Sequence, residues 1–154
     1  MEIVKLLKEK GFKITAAESC TGGLVAKMIT DIPGASEVFH AGFVVYSNEM
    51  KIKLLGVKAE TIKNYGAVSE QCAKEMASGA LNAAGADISI SITGIAGPDG
   101  GSAEKPVGTV YIGLCSKNII TAEKFLFSGG REDIRRQSAE KSLVIAAEHI
   151  MLNY

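Results

Sequence analysis

Ser19 stands in the run Glu18-Ser19-Cys20-Thr21-Gly22-Gly23, where the strand-like stretch Phe12 to Ala17 gives way to a helical spacing of Leu24, Val25, Met28 and Ile29. A serine on a strand-to-helix turn, followed by a hydroxyl and two glycines, suits two kinds of chemistry. Backbone N–H groups at the helix start could cradle a phosphate, or could receive the oxyanion formed by a nucleophilic serine. The plainer alternative is a Ser or Thr N-cap with glycines for close packing. A nucleophilic serine needs a base, and the two histidines, His40 and His149, are poor candidates. His149 falls near the end of a helix, where the dipole favours a surface cation. Lysine serves instead where burial lowers its pKa, because only the neutral amine accepts the hydroxyl proton. Lys51 follows Tyr46-Ser47-Asn48-Glu49 on the first turns of a predicted helix, near the positive end of its dipole. A lysine of no special placement is a surface charge.

Two further segments carry weaker signals. Thr93-Gly94-Ile95-Ala96-Gly97-Pro98-Asp99-Gly100-Gly101 is too long and glycine-rich for a tight connection. No Gly-Lys-Ser/Thr follows it and it lacks dinucleotide-binding spacing. The chain has three arginines, Arg131, Arg135 and Arg136, all within six residues at the start of the last helix. Guanidinium forks bind phosphate or carboxylate bidentately, so the cluster suggests an anion site. The alternative is pairing with Glu132, Asp133 and Glu140 on a solvated face. His, Cys and carboxylate residues do not cluster at ligand spacing, so no metal is expected.

These residues must be positioned by elements that the pattern outlines. Helices are predicted over Met1–Lys10, from Leu24, from Ser47 to Leu55, over Ala59–Asn64, over Ser69–Ala84 with a capping-box-like start, and over Glu132–Asn153. Strands are predicted over 12–17, 39–46, 87–93, 107–115 and 119–127; the third alternates isoleucine with Ser or Thr, and the last two form a hairpin. Early alternation of helix and strand with a late hairpin predicts an α/β fold, a three-layer α/β/α sandwich on a mixed, mostly parallel sheet. Ligands in such sheets bind beyond the carboxyl ends of the strands. Ser19–Gly23, Tyr46–Asn48 and Thr93–Gly94 all fall at such ends.

The composition sets outer bounds. The 154 residues suit one domain, 1–154, and 47% hydrophobic with 22% charged residues excludes a disordered chain. Seventeen basic and seventeen acidic side chains leave zero formal charge, which argues against a nucleic-acid partner. Apolar runs are too short to span a membrane, and no secretory signal is evident. Cys20, Cys72 and Cys115 read as reduced, mostly buried thiols, and the expected location is cytoplasmic. The alanine-rich helix over 69–84 suggests surface for a homo-oligomer.

Ala17-Glu18-Ser19-Cys20-Thr21-Gly22-Gly23, Tyr46-Ser47-Asn48-Glu49 with Lys51, Thr93-Gly94-Ile95-Ala96-Gly97-Pro98, Lys105-Pro106-Val107-Gly108-Thr109-Val110, and Gly130-Arg131 with Ile134-Arg135 together resemble the CinA C-terminal domain family. The motifs occur in the family's order and cover nearly the whole chain. The resemblance implies a three-layer α/β domain and, in active members, hydrolysis of the carboxamide of nicotinamide mononucleotide to nicotinate mononucleotide and ammonia. It implies a cofactor-free serine–lysine mechanism with Ser19 on the nucleophile and Lys51 on the base. Tyr46 and Thr93 fall on further active-site positions. Cys20, Thr21, Gly22, Gly23, Asn48 and Gly94 fall beside the substrate, and Arg131 or Arg135 where its phosphate could be held. Cys20 beside the nucleophile raises a cysteine-hydrolase alternative that lacks a histidine partner. Longer relatives carry an additional N-terminal domain whose activity does not transfer. A non-catalytic nucleotide-binding domain linked to competence or DNA damage is the alternative function.

Overall fold

The computed structural model describes residues 3–154, so Met1 and Glu2 of the predicted first helix lie outside the described residues. Five strands, β1 (Ile14–Glu18), β2 (Phe39–Val44), β3 (Ile88–Gly94), β4 (Thr109–Ser116) and β5 (Ile119–Leu126), form one sheet in the order β2-β1-β3-β4-β5. β2, β1 and β3 run parallel, and β4 pairs antiparallel with both β3 and β5. One strand of five therefore opposes the rest, which is the mixed, mostly parallel sheet expected.

Helices α1 (Ile3–Lys10), α2 (Leu24–Thr30) and α6 (Arg131–Asn153) cover one face. Helix α5 (Glu70–Ala84) lies on the other, with α3 (Asn48–Leu55) and α4 (Ala59–Tyr65) packed against it. The period-2 pattern of β3 explains both layers. Ile88, Ile90 and Ile92 enter the core beneath α1, α2 and α6. Ser89, Ser91 and Thr93 face α5 and are fully buried all the same. Ser91 Oγ donates to the Ala73 carbonyl at 2.6 Å and Thr93 Oγ1 to the Ala67 carbonyl at 2.8 Å. Burial of the Ser91 and Thr93 hydroxyls costs little because they are hydrogen-bonded, whereas Ser89 Oγ has no partner among the described residues.

Small residues let α5 sit this close. Ala73, Ala77 and Ala80 are completely buried on its inner face, and a Cβ on Gly113 of β4 would come within 2.6 Å of the Ala73 carbonyl oxygen. The alanine-rich face thus packs on the chain's own sheet, which removes the basis on which it was read as a surface for self-association. Ser69 caps α5 by accepting from the Cys72 amide at 3.2 Å, without the reciprocal half of a capping box because Cys72 occupies the third helical position. β2 ends at Val44, two residues earlier than expected, since the carbonyls of Val45 and Tyr46 turn to Lys51 instead of extending the ladder.

Candidate active site

The parallel pair β1–β2 brings two chain segments together at their carboxyl ends. Glu18 lies opposite Val44, and the Val45 amide donates to the Glu18 carbonyl at 2.9 Å. β1 then turns through Ser19–Gly23 into α2, while the segment after β2 turns through Tyr46 into α3. Gly22 and Gly23 adopt φ of +59° and +99°, a left-handed turn that a side chain would strain. Ser47 accepts from the Met50 amide and starts α3, so that Lys51, one turn in, points back at the turn after β1.

Lys51 is 1% exposed. Its Nζ lies 3.0 Å from Ser19 Oγ, 3.0 Å from the Val45 carbonyl oxygen and 3.4 Å from that of Tyr46. In the neutral form of the amine, two N–H bonds serve the two carbonyls and the lone pair is left for the serine hydroxyl. Burial lowers the pKa of Lys51. The neighbouring thiols supply no opposing charge, because burial pushes Cys20 and Cys72 up to about 11 and keeps them protonated at neutral pH. For the same reason Cys20 is a poor nucleophile beside Ser19.

The turn differs from expectation at the helix start. The buried Glu18 carboxylate accepts from the amides of Gly23, Val25 and Ala26 at 2.9–3.0 Å, occupying the N-terminus of α2. Those amides are therefore closed to a phosphate or an oxyanion, contrary to the reading that the helix start lies open. Glu18, an acid one residue before the candidate nucleophile, carried no sequence signal for a cap donated from a strand. The amides of Cys20 and Thr21 make no hydrogen bond to another described residue and remain available.

Ser19, Tyr46, Lys51 and Thr93 line one cavity of about 300 Å³, together with Cys20, Asn48, Gly94 and Arg131. Thr21, Gly22, Gly23 and Arg135 do not reach its wall. Arg135 instead clamps the turn from behind, donating from Nε to the Cys20 carbonyl at 3.1 Å and from Nη2 to the Thr21 carbonyl at 2.9 Å. Arg136 pairs with Asp133 and Glu140 on the helix surface. Arg131 spans the cavity mouth: Nη1 donates to the Gly97 carbonyl at 2.8 Å and Nη2 to the Tyr46 hydroxyl at 2.9 Å. It has no carboxylate partner among the described residues. Ala67 and Val68 also line the wall and fall outside the motifs of the sequence, Ala67 because its carbonyl, not its side chain, is what Thr93 meets; Asp99 lines it from within the glycine-rich segment. His149 lies far from this site; it is half-buried against the Ser116 hydroxyl and its pKa is lowered by burial, so it is not the surface cation expected.

A profile of the CinA C-terminal domain matches residues 1–150. The chain belongs to the CinA C-terminal domain family. A nicotinamide-nucleotide amidohydrolase, PncC, of Enterobacter agglomerans is 56% identical over 155 residues, covering 99% of this chain and 94% of that protein. A competence-damage inducible protein of Caldicellulosiruptor saccharolyticus is 52% identical across 99% of this chain, which spans only 37% of that longer protein. Among solved CinA-superfamily structures, the competence damage-inducible protein A of Klebsiella pneumoniae superposes with a TM-score of 0.96 at 35% identity, covering 99% of this chain and 95% of that one. A family member from Agrobacterium tumefaciens does so at 0.89 and 40% identity, covering 96% of each. Among the described residues no group of three or more His, Cys, Asp or Glu side chains could hold a metal, and no helix is long and apolar enough to cross a membrane.

Proposed function

We propose that this CinA-family chain is an amidase that hydrolyses the carboxamide of nicotinamide mononucleotide to nicotinate mononucleotide and ammonia, with Ser19 as nucleophile and Lys51 as base. The observation that carries the reading is the contact between a buried, pKa-lowered lysine and a serine hydroxyl 3.0 Å away. Similarity over nearly full length to a nicotinamide-nucleotide amidohydrolase supports the substrate.

Neutral Lys51 takes the Ser19 proton as Oγ bonds to the carboxamide carbon. The resulting oxyanion is received by the free amide of Cys20 at the cavity wall, a role worth about 2.7–4 kcal/mol for one donor where it has been tested. Lys51 returns its proton to the leaving nitrogen, the C–N bond breaks, and ammonia departs from a nicotinoyl ester on Ser19. Water, deprotonated by Lys51, then cleaves that ester and releases the acid. Thr93 donates its own proton to Ala67, so toward substrate its hydroxyl oxygen acts as an acceptor, suited to the amide N–H. Arg131 holds the phosphate. Its current partners are neutral oxygens, which a dianion displaces readily, whereas both forks of Arg135 are committed to the turn. The exposed ring of Tyr46 offers a face for the pyridinium.

Ammonia release from nicotinamide mononucleotide, measured with EDTA present, tests this directly. Wild type is expected to be active, and Ser19→Ala and Lys51→Ala each to lose at least about a thousandfold in kcat while remaining folded. Nucleotide binding without ammonia release would favour a non-catalytic nucleotide-binding domain instead.

A further inference from the structure

The cavity wall carries one guanidinium, Arg131, and one carboxylate, Asp99. Neither is ion-paired among the described residues, with each other or with any third group. Asp99 is held in place by the loop on which it rides. A Cβ on Gly97 would come within 2.5 Å of Val107 Cγ1, and one on Gly101 within 2.8 Å of the Val107 amide nitrogen. The backbone on both sides of Asp99 is therefore seated directly on Val107, and Arg131 ties the same loop down through the Gly97 carbonyl. An unpaired anion and an unpaired cation on the wall of one small cavity suit a ligand that carries both charges.

We propose that Asp99 is a specificity-determining residue, its carboxylate selecting a ligand whose aromatic ring is cationic while Arg131 holds the phosphate. The inference rests on the mononucleotide reading of the site and adds to it a basis for choice: an oxidised pyridinium ring is favoured over an uncharged ring of the same shape and the same carboxamide. Asp99 is exposed, so its attraction is screened and its effect is moderate.

Binding is measured in a Ser19→Ala background, which prevents turnover, for nicotinamide mononucleotide and for the uncharged benzamide riboside 5′-monophosphate. Asp99→Asn is expected to weaken the pyridinium ligand about fivefold and the benzamide ligand less than about twofold. Asp99→Glu is expected to restore most of the loss, and the difference between ligands to shrink between about 20 mM and about 500 mM salt. Equal loss for both ligands, or no loss for either, overturns the assignment while leaving the amidase reading standing. Failure of the Asp99-containing protein to bind either ligand overturns that reading and this assignment with it.

Discussion

Gly79 of α5 lies against the carbonyl of Leu55 at the end of α3: a Cβ on Gly79 would stand 1.9 Å from that oxygen. α3 is the helix that carries Lys51, and the Lys51 carbonyl accepts from the Val57 amide just beyond this contact. The position of the candidate base is thus set by how closely two helices approach, and only a residue without a side chain permits the approach. Gly79→Ala is expected to cost about 1–3 kcal/mol, lowering Tm by about 2–4 °C per kcal/mol, and to reduce kcat more than it changes KM. Calorimetry and steady-state ammonia release read the two effects. An unchanged Tm would mean that α3 relaxes away freely.

The lowered pKa of Lys51 makes activity and stability both rise with pH. The neutral amine is the working form, so kcat/KM rises with pH as Lys51 loses its proton, and Lys51→Arg is inactive at every pH because a guanidinium stays charged. Between the folded and unfolded pKa values the unfolded chain binds more protons, so the folded state gains stability as pH rises through that window. Below it, the buried amine weakens the fold. Lys51→Met is therefore expected to abolish ammonia release and raise Tm at neutral pH. Tm is best compared below pH 9, because the Cys20 and Cys72 thiols, raised from 9.0 to about 11, act in the reverse sense above it.

Glu18 satisfies three backbone amides at once from a position 1% exposed. Glu18→Ala leaves Gly23, Val25 and Ala26 without acceptors inside the protein, and a loss of about 2–5 kcal/mol is expected in denaturant unfolding. Glu18→Gln keeps one acceptor oxygen and is expected to lose less. Equal, negligible losses for both would show that water reaches the α2 terminus and replaces the carboxylate.

The two arginines separate by readout. Arg131→Ala is expected to raise KM for the mononucleotide at least about tenfold with little change in Tm, since its partners are neutral and lie at the cavity mouth. Arg135→Ala is expected to lower Tm and kcat together, because the turn bearing Ser19 loses two charge-assisted bonds. The opposite assignment would place the phosphate on the Arg135 side.

Local order was legible where one periodicity ruled a segment. Ile88 to Thr93 reads as a strand on alternation alone, Ser47 and Gly56 mark both ends of α3, and the hairpin over 107–127 needs only its turn. Alternation could not reveal that the Ser/Thr face of β3 is buried, because solvent and a carbonyl-presenting helix both accept hydroxyls. Strand ends slipped by one or two residues where a side chain from elsewhere took the carbonyls, as Lys51 does at Val45 and Tyr46.

Residue types and their order determined which groups this protein has for chemistry: a serine on a glycine turn, a lysine at the start of a helix, three clustered arginines and no catalytic histidine. Only the tertiary structure decided their states. Whether Lys51 is charged depends on burial among residues far apart in the chain, whether an amide is free depends on Glu18 reaching the α2 terminus, and whether an arginine binds a ligand or a loop depends on what its fork meets first. Desolvation and hydrogen-bond competition act between groups in space, and sequence spacing carries neither.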